Sequence, residues 1–468
     1  MKADLFCSVS AFFVVWFKLK ICKRGVGMNR LSLFIVVCLV AFPVAGLCAE
    51  VQDMPMGQGA EGTVSMLPEE TGSAVDELFG LEGGYLHPYL SLEGSFTDNL
   101  YNVDSGKTSN YLTRVSPGMW FTLPRKKIIP VTITPHNTSP GGLQQEIDDY
   151  EGTDRYQLYA LAGADLFFYS EDSALNTEDV TLEGLGRYNT PGGLSLQLLD
   201  RYNLGHDDFG FSGATEEDQR EYESNLLMAT TDWDITEKVR VKIDYSNFIL
   251  MYDDSINEYL ERQDDVVDAY GFYKYSVKTS LFLQYRYTAV NYDSATEKDN
   301  TQNSYYAGVR WDTTEKLALL FKAGMQQKEY DTETPDFDDS DNFIVDLQAL
   351  YRATEKTEMK LNLYRLNEES DTTLAAEKIV FGARFGYRQE FTEKITGKAD
   401  LSYEKADYEE LVDSDRDDDT YRFRPSAEYL FKDWLMGELA YEYELRDSSE
   451  SLFDYDTNTI FFSLNFAL

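Results

Sequence analysis

Apolar and polar residues alternate from Tyr85 to the end of the chain, in segments of 10–16 residues. Between 435 and 446 the odd positions are apolar or Gly, while the even positions include Glu438, Glu442 and Glu444. Successive side chains of a β-strand point to opposite faces, so each segment would have one apolar and one charged face. The segments are long for a soluble protein and match tilted strands that cross a membrane.

The connections between these segments are alternately short and long. Four of the short connections contain Thr-Glu-Lys, from Thr236 in the first to Lys394 in the last, and with two degenerate copies the turn centres lie 38–40 residues apart. Each period holds two long strands and one long loop, whereas a β-propeller blade of this period needs four short strands. Trp233, Trp311 and Tyr351 precede such turns, where the aromatic girdle of a membrane interface is expected.

The pattern predicts an all-β protein, a single large antiparallel transmembrane β-barrel of eighteen strands, with 16 or 20 strands as the alternatives. An even number brings both ends of the barrel to one side, the periplasm in bacterial single-chain barrels. The predicted strands are 85–97, 109–122, 154–170, 178–189, 194–204, 221–233, 238–250, 264–275, 278–291, 302–312, 316–330, 341–352, 357–369, 375–390, 394–408, 418–430, 434–447 and 455–468.

The segment 123–153 interrupts this pattern. It contains Pro124, Pro130, Pro135 and Pro140. Because Pro has no backbone N–H to donate, such a segment cannot supply central strands. We predict an extended periplasmic excursion here.

Residues 1–49 are predicted to be a presequence that ends in a secretory signal peptide. From Met28, the basic residue Arg30 precedes the apolar run 31–42 and a cleavage region that ends at Ala49. Such a run is too short to cross a membrane as a helix. We take Met28 as the true start, with an unusually long leader as the alternative.

The remaining chain divides into two parts. Residues 50–84 begin with a stretch rich in Met, Gly and Pro, and are predicted to be a flexible periplasmic leader. Residues 85–468 are predicted to form the barrel. All four Cys precede residue 50, so the processed chain would have no disulfide and no thiolate metal site. Lipid modification of Cys48 is disfavoured, because Leu47 before it is bulky.

The charge of the processed chain is strongly negative. Residues 50–468 hold 36 Lys and Arg against 81 Asp and Glu, a net charge of −45, which disfavours binding to nucleic acid. The nine predicted long loops contain 39 of the acids and five bases. We therefore predict an acidic rim facing outside the cell, next to outer-membrane lipid and lipopolysaccharide. Weak divalent contacts are expected at Asp413, Asp415 and Asp417, although the spacing does not fit an EF-hand.

The polar faces of the strands are mixed in charge, which predicts a wet lumen with interleaved ion pairs. Aromatic residues on these faces, Tyr270, Phe272, Phe282, Tyr306 and Tyr364, could pack against the wall or stack on sugar rings. The charged residues predicted to face the lumen are Arg240, Lys242, Asp244, Arg286, Arg310, Lys322, Arg352, Arg384, Arg388, Lys398, Asp400, Arg422, Arg424, Glu438 and Glu442.

The sequence shows no arrangement typical of an enzyme. There are three His, at positions 87, 136 and 206, and no metal-binding spacing, nucleophile elbow or phosphate loop. His206 beside Asp207 and Asp208 is the one local candidate, and we interpret it as ordinary loop. We expect no catalytic residues, no cofactor and no bound metal beyond the weak divalent contacts.

Both ends of the predicted barrel resemble known outer-membrane proteins. The last strand alternates Ile460, Phe462, Leu464 and Phe466 up to a terminal Leu468, similar to the signal read by the barrel assembly machinery. The first two strands, with Thr97-Asp98-Asn99 and Ser116-Pro117-Gly118, resemble the opening of outer-membrane β-barrel porins associated with exopolysaccharide biosynthesis and secretion. That resemblance implies a barrel in polysaccharide export or general diffusion, with polysaccharide export components as partners and no catalytic residues.

The hypothesis from the sequence is an outer-membrane, porin-like channel for export of an extracellular polysaccharide or diffusion of small solutes. An eighteen-strand barrel is wide enough to enclose water. The alternative is a closed barrel that acts as a surface scaffold or adhesin, with acidic loops that bind cations. Loops of this length are short for an adhesin.

Overall fold

The computed structural model describes residues 85–123, 137–142, 155–171, 173–207, 209, 219–314, 316–332, 339–372, 375–410 and 416–467. The predicted presequence (1–49), its start at Met28 and the predicted leader (50–84) lie outside the described residues. No helix in the described part of the chain is long and apolar enough to cross a membrane.

Eighteen β-strands make up almost all of the described structure, which confirms the predicted all-β fold and the strand count. Most observed boundaries lie within two residues of the predicted ones. The strands are β1 Leu86–Thr97, β2 Asn110–Leu123, β3 Tyr156–Tyr169, β4 Thr177–Asn189, β5 Leu194–Asp207, β6 Arg220–Asp234, β7 Val239–Tyr252, β8 Arg262–Ser276, β9 Thr279–Tyr292, β10 Asn300–Thr314, β11 Leu317–Tyr330, β12 Ser340–Thr354, β13 Thr357–Glu369, β14 Ala375–Thr392, β15 Ile395–Glu410, β16 Arg416–Lys432, β17 Leu435–Ser448 and β18 Tyr455–Ala467.

The strands form one closed antiparallel sheet. Each strand pairs with its neighbours in sequence, and β18 pairs with β1 from Thr459 opposite Thr97 to Ala467 opposite Tyr89. Closure leaves no strand edge with unpaired backbone groups, which is what a sheet in lipid requires. The tight turns lie at one end of the barrel, called here the short-turn end, and the longer connections lie at the other, the long-loop end.

The alternation predicted from the sequence is visible along each strand. In β9, Leu281 and Leu283 are 46% and 68% exposed, whereas Phe282 and Gln284, which alternate with them, are 6% and 3% exposed. Side chains such as Leu281 therefore form the outer, apolar face, and their neighbours form the inner, polar face.

Aromatic rings mark the outer face near the short-turn end. Trp233, Trp311, Tyr351 and Trp434 are between 43% and 48% exposed there. Trp and Tyr prefer the boundary between lipid and water, because one part of the ring system is apolar and another can bond to water. Their positions match the girdle expected from the sequence.

One carboxylate, Asp200 in β5, lies on the apolar outer face. The next residue, Arg201, points inward and pairs with Glu183 at 3.2 Å. Asp200 itself lies opposite Gly184 of β4 and Leu227 of β6. It accepts a hydrogen bond of 2.9 Å from Nδ2 of Asn225.

We expect Asp200→Leu/Asn225→Leu to raise the free energy of unfolding in lipid vesicles by about 1 kcal/mol, since the change removes a polar pair from the lipid-facing side. Asp268→Leu, which leaves the inward Arg286 without its carboxylate, should lower that free energy instead. Urea unfolding followed by tryptophan fluorescence measures both variants. Equal destabilisation would show that Asp200 does not face lipid.

Candidate functional site

The charged residues predicted to face the lumen share one arrangement in the structure. All fifteen lie between β7 and β17, at positions that alternate with the outward apolar side chains. The inner wall is therefore charged over more than half of the circumference. These residues are Arg240, Lys242, Asp244, Arg286, Arg310, Lys322, Arg352, Arg384, Arg388, Lys398, Asp400, Arg422, Arg424, Glu438 and Glu442.

Ion pairs link most of these residues across the wall. In these pairs a Lys or Arg nitrogen lies within 4.0 Å of a carboxylate oxygen. Examples are Arg286 Nε to Asp268 at 2.9 Å and Lys398 Nζ to Glu428 at 2.7 Å. Because each of these positive charges faces a negative one, the wall is polar with little net field.

The inward aromatic rings pack against the wall beside them. Phe282 lies opposite Gly308, where an added Cβ would come within 2.2 Å of the ring. Tyr364 lies opposite Gly382 in the same way, at 2.1 Å. Each ring therefore occupies the space that a side chain on the neighbouring strand would need.

Cations lie against several of these inward rings. Lys322 Nζ lies 4.9 Å from the centre of the Tyr306 ring, and Arg384 Cζ lies 5.3 Å from that of Tyr364. Tyr270 and Phe272 stack on each other with 5.8 Å between ring centres. These contacts favour the wall-packing interpretation over stacking on sugar rings.

Residues 137–142 lie inside the barrel at its long-loop end. Gly141 N donates to Asp264 Oδ2 at 2.8 Å, and Thr138 Oγ1 donates to Glu368 Oε2 at 2.7 Å. Arg262 Nη2 donates to the carbonyl oxygen of Ser139 at 3.2 Å. These six residues are called the inner segment below.

The inner segment corrects the prediction of a periplasmic excursion at 123–153. The described chain stops at Leu123 and resumes at Arg155, and both of these residues lie at the short-turn end. Residues 137–142 contact the opposite end of the lumen. The Pro content argued against central strands, and the described residues 137–142 contain no strand. It could not show that the polar inner wall would supply partners for the segment's backbone groups.

Two glycines fit the inner segment against the wall. Gly141 and Gly142 have φ of +80° and +73°, a region that other residues rarely adopt. An added Cβ would lie 2.5 Å from Val266 Cγ2 at Gly141 and 2.2 Å from Phe248 Cδ2 at Gly142. The turn therefore requires glycine for both its conformation and its close approach.

A buried network of charges adjoins the inner segment. Lys328 Nζ lies 3.1 Å from Glu369 Oε1 and 3.3 Å from Glu377 Oε2, and all three residues are 1% exposed. Ser370 and Asp371 of the β13–β14 connection are equally buried, at 1% and 2%. The inner segment and this connection therefore both lie within the lumen at its long-loop end.

A polar chamber lies beneath the inner segment, with Ser139 and Pro140 at its edge. Its cavity volume is about 80 Å³, and it is partly open to solvent. Gln302, Gln326 and Asn362 line it together with Arg286 and Lys322. Charge and aromatic character do not single out the three amides in the sequence, although all three share the inward parity of their strands.

The remaining candidates give no catalytic or metal arrangement. His206 lies in β5 rather than in a loop, because pairing with β6 continues to Asp207 opposite Arg220. Its Nδ1 is 2.8 Å from Asp179 Oδ1. Asp413 and Asp415 lie outside the described residues, Asp417 lies 3.7 Å from Lys405, and the divalent contact stays a prediction. The described residues contain no cluster of His, Cys, Asp or Glu able to hold a metal ion.

Comparison with known proteins shows the family. The family described as "Putative beta-barrel porin 2" matches residues 153–468. The chain belongs to this family. The match confirms the resemblance to β-barrel porins, although it begins after the strands that carried that resemblance, and together with the closed barrel it places this porin in the outer membrane. The exopolysaccharide association stays a prediction.

Solved structures of other outer-membrane proteins are similar to this porin in part. OccK2 (OpdF) of Pseudomonas aeruginosa is 11% identical, with a TM-score of 0.44 over 82% of this chain and 100% of its own. OpdK of the same organism, solved with vanillate, is 10% identical with a TM-score of 0.41 and the same coverage. The FrpB iron transporter of Neisseria meningitidis is 11% identical, with a TM-score of 0.42 over 84% of this chain and 82% of its own. No curated protein sequence matches the chain.

Lys298, in the β9–β10 connection, gives a pH dependence that can be tested. It is 4% exposed, and its Nζ donates to the carbonyl oxygen of Thr372 at 3.1 Å. Burial lowers the pKa of Lys298 to about 8. The unfolded chain should titrate near the usual value of about 10.4.

We therefore expect folding to become more favourable as the pH rises from about 8 to about 10.4, because the charged form of Lys298 is disfavoured only in the folded state. Lys298→Met should lack this gain. Urea unfolding of both proteins at pH 7 and pH 10 gives the difference that isolates this group. An equal pH response in the two proteins would contradict the assignment.

Proposed function

We propose that this porin is a channel for small polar solutes across the outer membrane, and that the inner segment narrows its long-loop end. The observation that carries the proposal is the charge-paired inner wall. Its charged side chains are more exposed to solvent near the short-turn end than near the long-loop end. Near the short turns the side chains of Arg352 and Arg388 are 44% and 32% exposed. Near the long loops those of Lys328 and Arg262 are 0% and 2% exposed.

Small solutes suit this lumen better than a polymer. The inner segment, whose Ser139 and Gly141 are bonded to Arg262 and Asp264, lies where an extended polysaccharide would pass the long-loop end. Polysaccharide export would require the inner segment to leave the lumen. The alternative function, a closed surface scaffold, would leave the barrel without conductance even after the segment is displaced.

We expect Gly141→Ala/Gly142→Ala to raise the mean single-channel conductance, because two added Cβ atoms would displace the inner segment from Val266 and Phe248. Gly106→Ala is the matched control: it has a φ of +76° in an outer loop, and an added Cβ there meets open space. It should leave the conductance unchanged. Planar bilayer recording of the purified, full-length proteins measures all three.

Absence of conductance in every one of these proteins would reject the channel. Equal conductance in all three would keep the channel and reject the role of the inner segment. Heat-modifiable gel mobility before each recording checks that the barrels are folded.

We also propose that the long loops face outside the cell and that the ends of the barrel face the periplasm. The even strand number and the acidic loops support this orientation. An epitope inserted after Thr332, in a long loop, should be labelled by antibody on intact cells. The same epitope after Glu237, in a short turn, should be labelled only after the outer membrane is permeabilised. The reverse pattern would overturn the orientation.

A further inference from the structure

The amide side chains of the chamber form a partly satisfied hydrogen-bond network. Gln302 Nε2 donates to Glu369 Oε1 at 2.8 Å, and Gln326 Nε2 donates to Gln302 Oε1 at 2.8 Å. Gln326 is thereby fixed in orientation, with its own carbonyl oxygen directed elsewhere. An amide held in this way offers an acceptor at a defined position.

Three amide carbonyls at the chamber accept no hydrogen bond from the described residues. They belong to Gln326, Asn362 and Asn367, which are 8%, 2% and 3% exposed. All three residues line the same chamber. Buried acceptors are nearly always satisfied in native proteins, so three of them in one place point to a partner that donates several hydrogen bonds.

The charges at the chamber are already compensated. Arg286 pairs with Asp268 at 2.9 Å, and Lys322 lies 3.9 Å from Asp346. An ion entering the chamber would meet one positive and one negative group at each position, and it would lose its water shell without a net opposite charge in return. An uncharged ligand avoids this cost.

The shape of the chamber also restricts the ligand. Its cavity volume of about 80 Å³ admits only a small ligand. Pro140, Ile344, Val345 and Leu366 add apolar surface to the hydroxyl, amide and charged groups of the lining. The ring of Tyr364 already packs between Gly382 and Arg384, so recognition would depend on hydrogen bonds rather than on ring stacking.

We infer that this chamber binds a small, uncharged, polyhydroxylated solute. Hydroxyl groups donate to the free carbonyls of Gln326, Asn362 and Asn367 and accept from amide N–H groups. Ser139 and Pro140 close the chamber toward the long loops. The inference depends on the proposed channel function, because it names the class of solute that would pass.

The test uses the full chain in nanodiscs and three probes with the same ring: glucose, which is neutral, glucuronate, which is anionic, and glucosamine, which is cationic. Isothermal titration calorimetry should show that glucose binds more tightly than either charged probe. Gln326→Leu/Asn362→Leu should weaken glucose binding by about tenfold, the effect of losing two modest hydrogen bonds.

Asn203→Leu is the control variant, since Asn203 also faces inward but lies in β5, away from the chamber. It should bind glucose like the unmodified protein. The inference is overturned by absence of glucose binding, by tighter binding of glucuronate or glucosamine, or by equal glucose affinity in the chamber variant. Conductance without glucose binding would reject the chamber site and keep the channel. Glucose binding without conductance would reject the channel and keep the site.

Discussion

Pairing of β1 with β18, from Thr97 opposite Thr459 to Tyr89 opposite Ala467, removes the last two free edges of the sheet. In lipid, an unpaired backbone N–H or C=O has no water to bond, so a barrel is stable only when every strand has two neighbours. Closure fixes the register of all eighteen strands, and the register fixes which residues face inward. The polar inner wall, the chamber and the docking of the inner segment all depend on it.

The same wall behaves differently along its length. Ion pairs near the short turns remain hydrated, and an exposed pair contributes little to stability. Near the long loops, Lys328, Glu369 and Glu377 form a pair network with almost no exposure. Charges buried in this way need complete partners, since an unpaired one would be strongly destabilising. The long-loop end of the lumen is therefore the part of the barrel whose charged side chains most need precise partners.

The inner segment joins these two properties. Its backbone and hydroxyl groups bond to Arg262, Asp264 and Glu368, and its glycines pack against Phe248 and Val266. A segment that is neither strand nor α-helix is stable in this position, because the ordered polar wall supplies hydrogen-bond partners for its backbone and hydroxyl groups. It narrows the lumen and bounds the chamber, so channel width and solute choice would depend on the same few contacts.

The sequence by itself determined the eighteen strands, most of their boundaries within two residues, and the inward position of residues such as Arg286 and Lys398. Period-2 alternation is a local property, and a membrane enforces it strictly on both faces of each strand. The sequence also argued against central strands at 123–153. Only the tertiary structure decided that residues 137–142 lie in the lumen, that the end near Lys328 is dry, and that Gln326 and Asn362 share a chamber. These properties depend on contacts between residues far apart in the chain, such as Thr138 with Glu368, and no local pattern encodes such contacts.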